Sequence, residues 1–315
     1  MRDEVHALIN RYNKITIITH LNPDADTIGT ALGIYGLLKN SGKQVEIVNQ
    51  GRNIPIQLDF LPNYAKIKHK INYDKSLIIS CDAGSIDRLG FDLIGRDILN
   101  IDHHKSNTYF GTLNVVNSKA VSASQVAYEL FRDDYSITKD IATCFYTALV
   151  SDTQYFTTHN VSQKVFDIAS EIMSYGVDIA QVVHNINQRR SLASLRILSS
   201  TLKSLELDCA GRLAVLYASR DKMLEAGANL LDMVGVIDYG ISLSTVEVAV
   251  ILIETEEFIR VSLRSKKADV SALAVHFGGG GHHNASGFER KGATMDELQI
   301  LIKKEIKERG LLDNA

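Results

Sequence analysis

The stretch "KITIITHLNPDADTIGTALGIYGLLKNSG" (residues 14–42) joins an apolar, β-branched run to a long helical pattern through a polar turn. The run at 14–20 reads as a buried strand, and Gly42 closes the helix that follows. Three more strand-like runs come next, "QVEIVNQ" (44–50), "SLIISCD" (76–82) and "DILNID" (97–102). Helical patterns then occupy "SASQVAYELFRDD" (122–134), "TKDIATCFYTALVSDT" (138–153) and "SQKVFDIASEIMSYG" (162–176). This alternation predicts an α/β domain, a mostly parallel sheet flanked by helices on both faces.

From about residue 178 to 207 the pattern is helical and no strand is indicated. After it come "RLAVLYAS" (212–219), "VEVAVILIET" (246–255) and "EFIRVSLRS" (257–265), the last two spaced as a hairpin. A short helix, a glycine cluster and the final helix "TMDELQILIKKEIKERG" (294–310) complete a smaller α+β domain. The expected divisions are a first domain over 1–185, a helical linker over 186–208 and a second domain over 209–315.

Two domains suit a chain of 315 residues, and 45% hydrophobic with 23% charged residues is an ordinary globular composition. A net charge of -3 argues against a generic polyanion-binding surface. A phosphate-rich ligand therefore needs locally supplied positive charge. Three cysteines, Cys81, Cys144 and Cys209, match no zinc spacing and read as reduced, buried thiols of a cytoplasmic protein. The N-terminal "MRDEVHALINRYNK" has neither a signal-peptide core nor a spanning segment, so no membrane association is expected.

The chemistry gathers where the strands end. His20 begins "HLNPDAD", which makes an HxxxDxD cluster with Asp24 and Asp26; Asp82 ends the third strand; Asp102, His103 and His104 end the fourth. Open α/β sheets bind ligands outside the carboxyl ends of their strands. A further carboxylate, Asp152, closes a helical run. Each piece has a structural explanation when taken alone: Asp24 or Thr27 as a helix cap, Asp82 as a loop acid, Asp152 as a cap. Their convergence on one edge does not. Four carboxylates brought together would raise one another's pKa unless divalent cations intervened. Mixed His and Asp donors without thiolates suit Mn²⁺ better than Mg²⁺, and the donors suffice for two ions roughly 4 Å apart. Adjacent side chains on an extended segment point to opposite sides, so His103 and His104 are expected to diverge and to do different work.

A second cluster is "HFGGGGHHNASG" (276–287). Consecutive glycines permit φ > 0 and expose backbone N–H groups to an anion, His282 follows directly, and Arg264 could add a bidentate phosphate contact. A plain turn between helix and strand is the competing reading.

Taken in order, His20/Asp24/Asp26, Asp82, Asp102-His103-His104, Asp152 and the GGGH element at 279–282 make the chain resemble the DHH–DHHA1 phosphoesterases. Within them it is most similar to the small bacterial oligoribonucleases that also dephosphorylate pAp, the NrnA-like or nanoRNase group. The resemblance spans essentially the whole chain. It implies one Mn²⁺ on His20, Asp24 and Asp82 and a second on Asp26, Asp82, His103 and Asp152, with Mg²⁺ or Co²⁺ as substitutes. It implies that His104 faces the scissile phosphate as general acid while Asp102 orients an imidazole. Arg264, Gly279, Gly280, Gly281 and His282 would bind substrate, which places the site in the cleft between the domains. The implied substrates are short single-stranded RNA or DNA oligonucleotides and nucleotide bisphosphates. Alternatives are linear or cyclic dinucleotides (pApA, c-di-AMP), or nucleotide binding without turnover. Monomer or homodimer is left open. Ala25 and Gln154 stand where relatives more often carry Gly, and Ser286 where they carry Ala; Gln154 bears on substrate range.

Overall fold

The computed structural model describes residues 1–51 and 54–312. The chain divides into two compact units, Met1–Arg189 and Arg190–Ala315.

In the first unit the strands are β1 (Lys14–Thr19), β2 (Gln44–Val48), β3 (Ile67–Lys68), β4 (Leu77–Cys81), β5 (Ile98–Asp102) and β6 (Leu113–Val116). They form one sheet in the order β3-β2-β1-β4-β5-β6, every pair parallel. The four expected runs are β1, β2, β4 and β5. The short edge strands β3 and β6 had no clear sequence pattern, because edge positions are only half-buried and carry polar residues. The helices are α1 (Arg2–Asn10), α2 (Ala25–Asn40), α3 (Ala123–Phe131), α4 (Lys139–Asp152), α5 (Gln163–Met173) and α6 (Ile179–Val183). Helix α2 ends as expected: Gly42 takes φ 88°, and Gly42 and Lys43 donate their N–H groups back to Lys39 and Leu38.

The expectation of helices on both faces is corrected. Ile15, Ile17, Leu77, Ile79, Leu99 and Ile101 point into one core with the buried residues of α1 to α6. The alternate residues Ile18, Val48, Ile78 and Ile98 are covered instead by Leu89, Leu93, Ile71, Phe91 and Phe110 from connecting segments. Strand order explains this. Connections left from β1 and right from β4 must lie on opposite faces if both are right-handed. The rightward ones are short and contain only a 3₁₀ turn, Ile86–Leu89.

The second unit contains α7 (Leu192–Lys203), β7 (Glu206–Asp208), β8 (Leu213–Ala218), α8 (Arg220–Ala226), α9 (Val236–Ile241), β9 (Val248–Glu254), β10 (Ile259–Ser265), α10 (Ser271–His276), β11 (Gly280–His282), β12 (Ala285–Arg290) and α11 (Met295–Glu308). Its sheet runs β11-β12-β10-β9-β8-β7 and is antiparallel apart from β8 with β9. Here both faces carry helices: Leu273, Leu298 and Ile302 pack on one, Ile197, Met223 and Ile237 on the other. Ile197 makes α7 part of this unit's core. Cys81 and Cys144 are buried free thiols, whereas Cys209 is only half-buried. Among the described residues no helix is long and apolar enough to cross a membrane.

Candidate active site

Strand order reverses between β1 and β4, and the crevice outside their carboxyl ends is the topological switch point of the sheet. His20 follows β1 and Asp82 follows β4 at this position. Asp82 takes φ 58°, a left-handed conformation that Asp tolerates better than most side chains, while its N–H still donates to Ile101 at 2.9 Å. This turn sends its two oxygens to different partners. Oδ2 lies 3.5 Å from His20 Nε2, and Oδ1 lies 3.4 Å from His103 Nε2.

Two donor groups therefore flank one carboxylate. His20, Asp24 and Asp82 form the first, with His20 Nε2 3.9 Å from Asp24 Oδ2. Asp26, His103 and Asp152 form the second, with His103 Nε2 3.8 Å from Asp26 Oδ2 and 3.6 Å from Asp152 Oδ2. These separations exceed a good hydrogen bond. They suit ligands of a shared ion, since two donors each about 2.1 Å from a cation stand roughly 3 Å apart when adjacent and roughly 4.2 Å apart when opposite. Asp82 Oδ1 is buried and has no hydrogen-bond partner among the described residues. A buried, unsatisfied carboxylate oxygen between two imidazole and carboxylate groups fits a divalent cation. Both proposed ligand sets are thus brought together.

Asp24 does two jobs. Its Oδ1 accepts from the N–H groups of Asp26 and Thr27, so it is the N-cap of α2, while Oδ2 faces His20. Thr27 is no cap; its hydroxyl donates to the Cys81 carbonyl at 2.8 Å and ties α2 to the end of β4. Asp26 accepts from the N–H groups of Ala123 and Ser124 at the start of α3. Asp152 ends α4, where the helix dipole disfavours a carboxylate.

What sequence reasoning missed is how Asp26 reaches Asp152. Helices α2 and α4 pack closely through glycines: a Cβ on Gly29 would lie 2.6 Å from the Cys144 carbonyl oxygen, one on Gly33 2.6 Å from the Phe145 ring, and one on Gly36 2.7 Å from the Ile141 side chain. One further turn along the same antiparallel contact brings Asp26 to Asp152. The spacing of glycines at 29, 33 and 36 was the available signal.

The two adjacent histidines do not diverge. Strand β5 ends at Asp102, so residues 103 and 104 lie beyond the pleat, and their ring centroids are 4.8 Å apart. Both face Asp82, His104 Nδ1 at 3.6 Å from Oδ1. They differ in what fixes them. His103 Nδ1 lies 3.3 Å from the Ala120 carbonyl, and His104 Nδ1 lies 2.7 Å from Asp102 Oδ1. Asp102 is fully buried and is itself held by Asn107, whose amide also donates to the Ala83 carbonyl.

The electrostatics are those of crowded anions. Burial, reinforced by Asp82 and Asp152, holds the Asp26 carboxyl well above the usual range. Burial also pushes Asp152 up to about 7, against the pull of His103. Burial would depress His103, but Asp82, Asp26 and Asp152 outweigh it and push it up to about 10. Burial would raise Asp82, yet His103 and His20 hold it well below the ordinary carboxylate.

In the second unit the glycine run is divided between a helix end and a strand, so it is not the plain turn of the competing reading. Gly278 alone closes α10, with φ 82°, and Gly278 and Gly279 donate back to Val275 and Ala274. Gly280 and Gly281 belong to edge strand β11, where a Cβ on Gly281 would lie 2.6 Å from the Ala285 carbonyl oxygen. Cross-strand register puts His282 opposite Ala285 and Ala285 opposite Arg264, one row on one face with a small residue in the middle. Arg264 Nε lies 3.4 Å from Asp238 Oδ1.

The pattern of the DHH family, N-terminal domain, matches residues 14–149, and that of the DHHA1 domain matches residues 211–308. The chain is 31% identical over 299 residues to the bifunctional oligoribonuclease and PAP phosphatase NrnA of Thermus thermophilus, covering 93% of this chain and 89% of that protein. The chain belongs to the DHH–DHHA1 family. The Bacillus subtilis protein of the same description is 25% identical over 96% of this chain and 99% of its own length. Among solved structures, an exopolyphosphatase-related protein from Bacteroides fragilis superposes with a TM-score of 0.89 at 26% identity, covering 98% of this chain and 96% of that one. In this DHH–DHHA1 chain Gln154 takes φ 46°, a conformation that glycine adopts without cost and other residues at roughly 1–2 kcal/mol.

Proposed function

We propose that the chain is a two-metal phosphohydrolase that degrades short oligoribonucleotides to mononucleotides and dephosphorylates pAp to AMP. The observation that carries this reading is Asp82, whose two oxygens turn to two separate His/Asp donor groups. The activities printed for the Thermus and Bacillus relatives, each matched over most of both chains, support the substrate class.

One divalent ion would sit on His20, Asp24 and Asp82, the other on Asp82, Asp26, His103 and Asp152; the donor set suits Mn²⁺. Bound there, the ions would lower the pKa of the attacking water and neutralise charge building on the phosphoryl group. His103 presents Nε2 as a ligand because the Ala120 carbonyl can only accept and so fixes the proton on Nδ1. His104, turned by Asp102, would give a proton from Nε2 to the leaving nucleoside oxygen as the P–O bond breaks. Arg264, Gly279, Gly280, Gly281 and His282 of the second unit are proposed as substrate-binding groups, with Arg264 and His282 on one face of the sheet. Cytoplasmic location is proposed with the nucleotide substrates.

The test is release of phosphate from pAp and of mononucleotide from a 5′-phosphorylated dinucleotide, with Mn²⁺ and with EDTA. Release from both with Mn²⁺ and from neither with EDTA is expected. No metal-dependent release from either substrate would leave only nucleotide binding, and turnover of the dinucleotide alone would favour a dinucleotide phosphodiesterase.

A further inference from the structure

Helix α7 has two unlike sides. Ser194, Ile197 and Thr201 are buried, and Ile197 joins the core that includes Leu216 and Met223. Arg196, Ser199, Ser200 and Lys203 are spaced i, i+3, i+4 and i+7 and so form one row along another side. Lys222 and Glu225 of α8 stand across from this row. Neighbouring helices ordinarily interlock their facing side chains. Here the space between α7, α8 and the end of β8 stays open as a pocket of about 540 Å³.

Pockets that take small molecules run from roughly 300 to 1,000 Å³ and are mostly apolar in lining. Every residue lining this one is charged or carries a hydroxyl. Three cations, Arg196, Lys203 and Lys222, against the single acid Glu225 leave the lining at +2, in a chain whose net charge is -3. Lys222 Nζ pairs with Glu225 Oε2 at 2.8 Å. Among the described residues Arg196 and Lys203 have no ion-pair or hydrogen-bond partner. The hydroxyls of Ser199 and Ser200 do not donate one turn back, as those of Thr143 and Thr147 do in α4. Two cations and two hydroxyls thus face the open space with their donors unused.

We propose that this pocket is a phosphate-binding site of the second unit, in which Arg196 and Lys203 carry the charge and Ser199 and Ser200 donate to phosphate oxygens. A phosphate monoester is close to a dianion and presents three acceptor oxygens, which matches two cations flanking two hydroxyls. The site is not the row of Arg264 and His282. Cross-strand register aligns Arg264 with Ala249 and Ala249 with Ala214, two strands across and three residues before Tyr217. Strand geometry makes that separation roughly 14 Å, too far for one phosphate to occupy both places. The proposal does not depend on the catalytic reading, because binding is measured with the metal removed.

The test is calorimetric titration of EDTA-treated full-length protein at constant ionic strength, in an Arg264→Ala background that leaves out the other proposed phosphate contact. The probes are inorganic phosphate, AMP and a 5′-phosphorylated trinucleotide, with succinate as a dianion without phosphorus. Phosphate is expected to bind more tightly than succinate. Arg196→Gln and Lys203→Gln should each weaken phosphate binding roughly 10-fold or more, the loss of one charge-assisted hydrogen bond. Both residues are exposed, so melting temperatures should stay unchanged. Equal affinity for the three phosphates would support a site for the phosphate group alone. Tighter binding of AMP would support a mononucleotide site, and tightest binding of the trinucleotide an oligonucleotide site. No phosphate binding in folded protein would overturn the proposal, as would equal binding of succinate or an affinity untouched by both substitutions.

Discussion

Asp102 and His104 are joined by a 2.7 Å hydrogen bond between Oδ1 and Nδ1, while the neighbouring His103 turns Nδ1 to the Ala120 carbonyl. A carboxylate behind one imidazole and a carbonyl behind the other give two sequence neighbours different chemistry. The carbonyl only fixes a tautomer; the buried carboxylate also stabilises a protonated ring. Burial works against the His104 imidazolium, but the Asp102 bond and the charge of Asp82 raise its pKa.

Replacing Asp102 by Asn should therefore lower kcat without emptying the metal site. A fall of about 10- to 100-fold is expected for the loss of a group that orients an imidazole. Steady-state kinetics beside metal analysis checks this, and loss of bound Mn²⁺ in Asp102→Asn would contradict the division of roles.

Metal uptake should release protons. With His103 pushed up to about 10 and Asp152 to about 7, the metal-free site holds protons near neutral pH that a cation must displace. Affinity for Mn²⁺ should consequently rise with pH and fall as these groups are protonated. Calorimetric titration in buffers of different ionisation enthalpy reads the proton count directly; a pH-independent affinity would be inconsistent with this site.

Gly29 controls the approach of α2 to α4. Its replacement by Ala sets a methyl 2.6 Å from a backbone carbonyl and 2.9 Å from Ala148, contacts that only helix movement relieves. A loss of about 1–3 kcal/mol in denaturant unfolding is expected, as for overpacking elsewhere. Because Asp26 and Asp152 are spaced by this contact, Mn²⁺ affinity should fall too, and unchanged stability and affinity together would refute the packing argument.

Arg264→Ala should raise KM for substrates with a terminal phosphate and leave metal content intact. The arginine shares a sheet row with Ala285 and His282, in a different unit from the metal-ligand candidates. An equal KM with and without the arginine would remove it from substrate recognition.

Much of this was legible in the sequence because the signals are local. Apolar runs ending in His20, Asp82 and Asp102 mark strands and their carboxyl ends at once, and parallel order then gathers the acids. Asp24 shows why a single residue could not be decided alone: it is both the cap of α2 and a donor facing His20. The divergence of His103 and His104 was misjudged because strand alternation stops at Asp102. The close contact of α2 with α4 depends on what faces each glycine, which one strand of sequence does not display. Edge strands such as β11 escaped because glycines carry no alternation; their pairing is set by the close approach of β12.

As the carboxylate shared by the two donor groups at the switch point of the sheet, Asp82 would hold both ions of the proposed pair. Metal-depleted protein titrated with Mn²⁺ should bind two ions per chain, and Asp82→Ala, folded by its melting curve, should bind fewer and release no phosphate from pAp. An Asp82→Ala protein that still binds two Mn²⁺ and hydrolyses pAp would contradict the account.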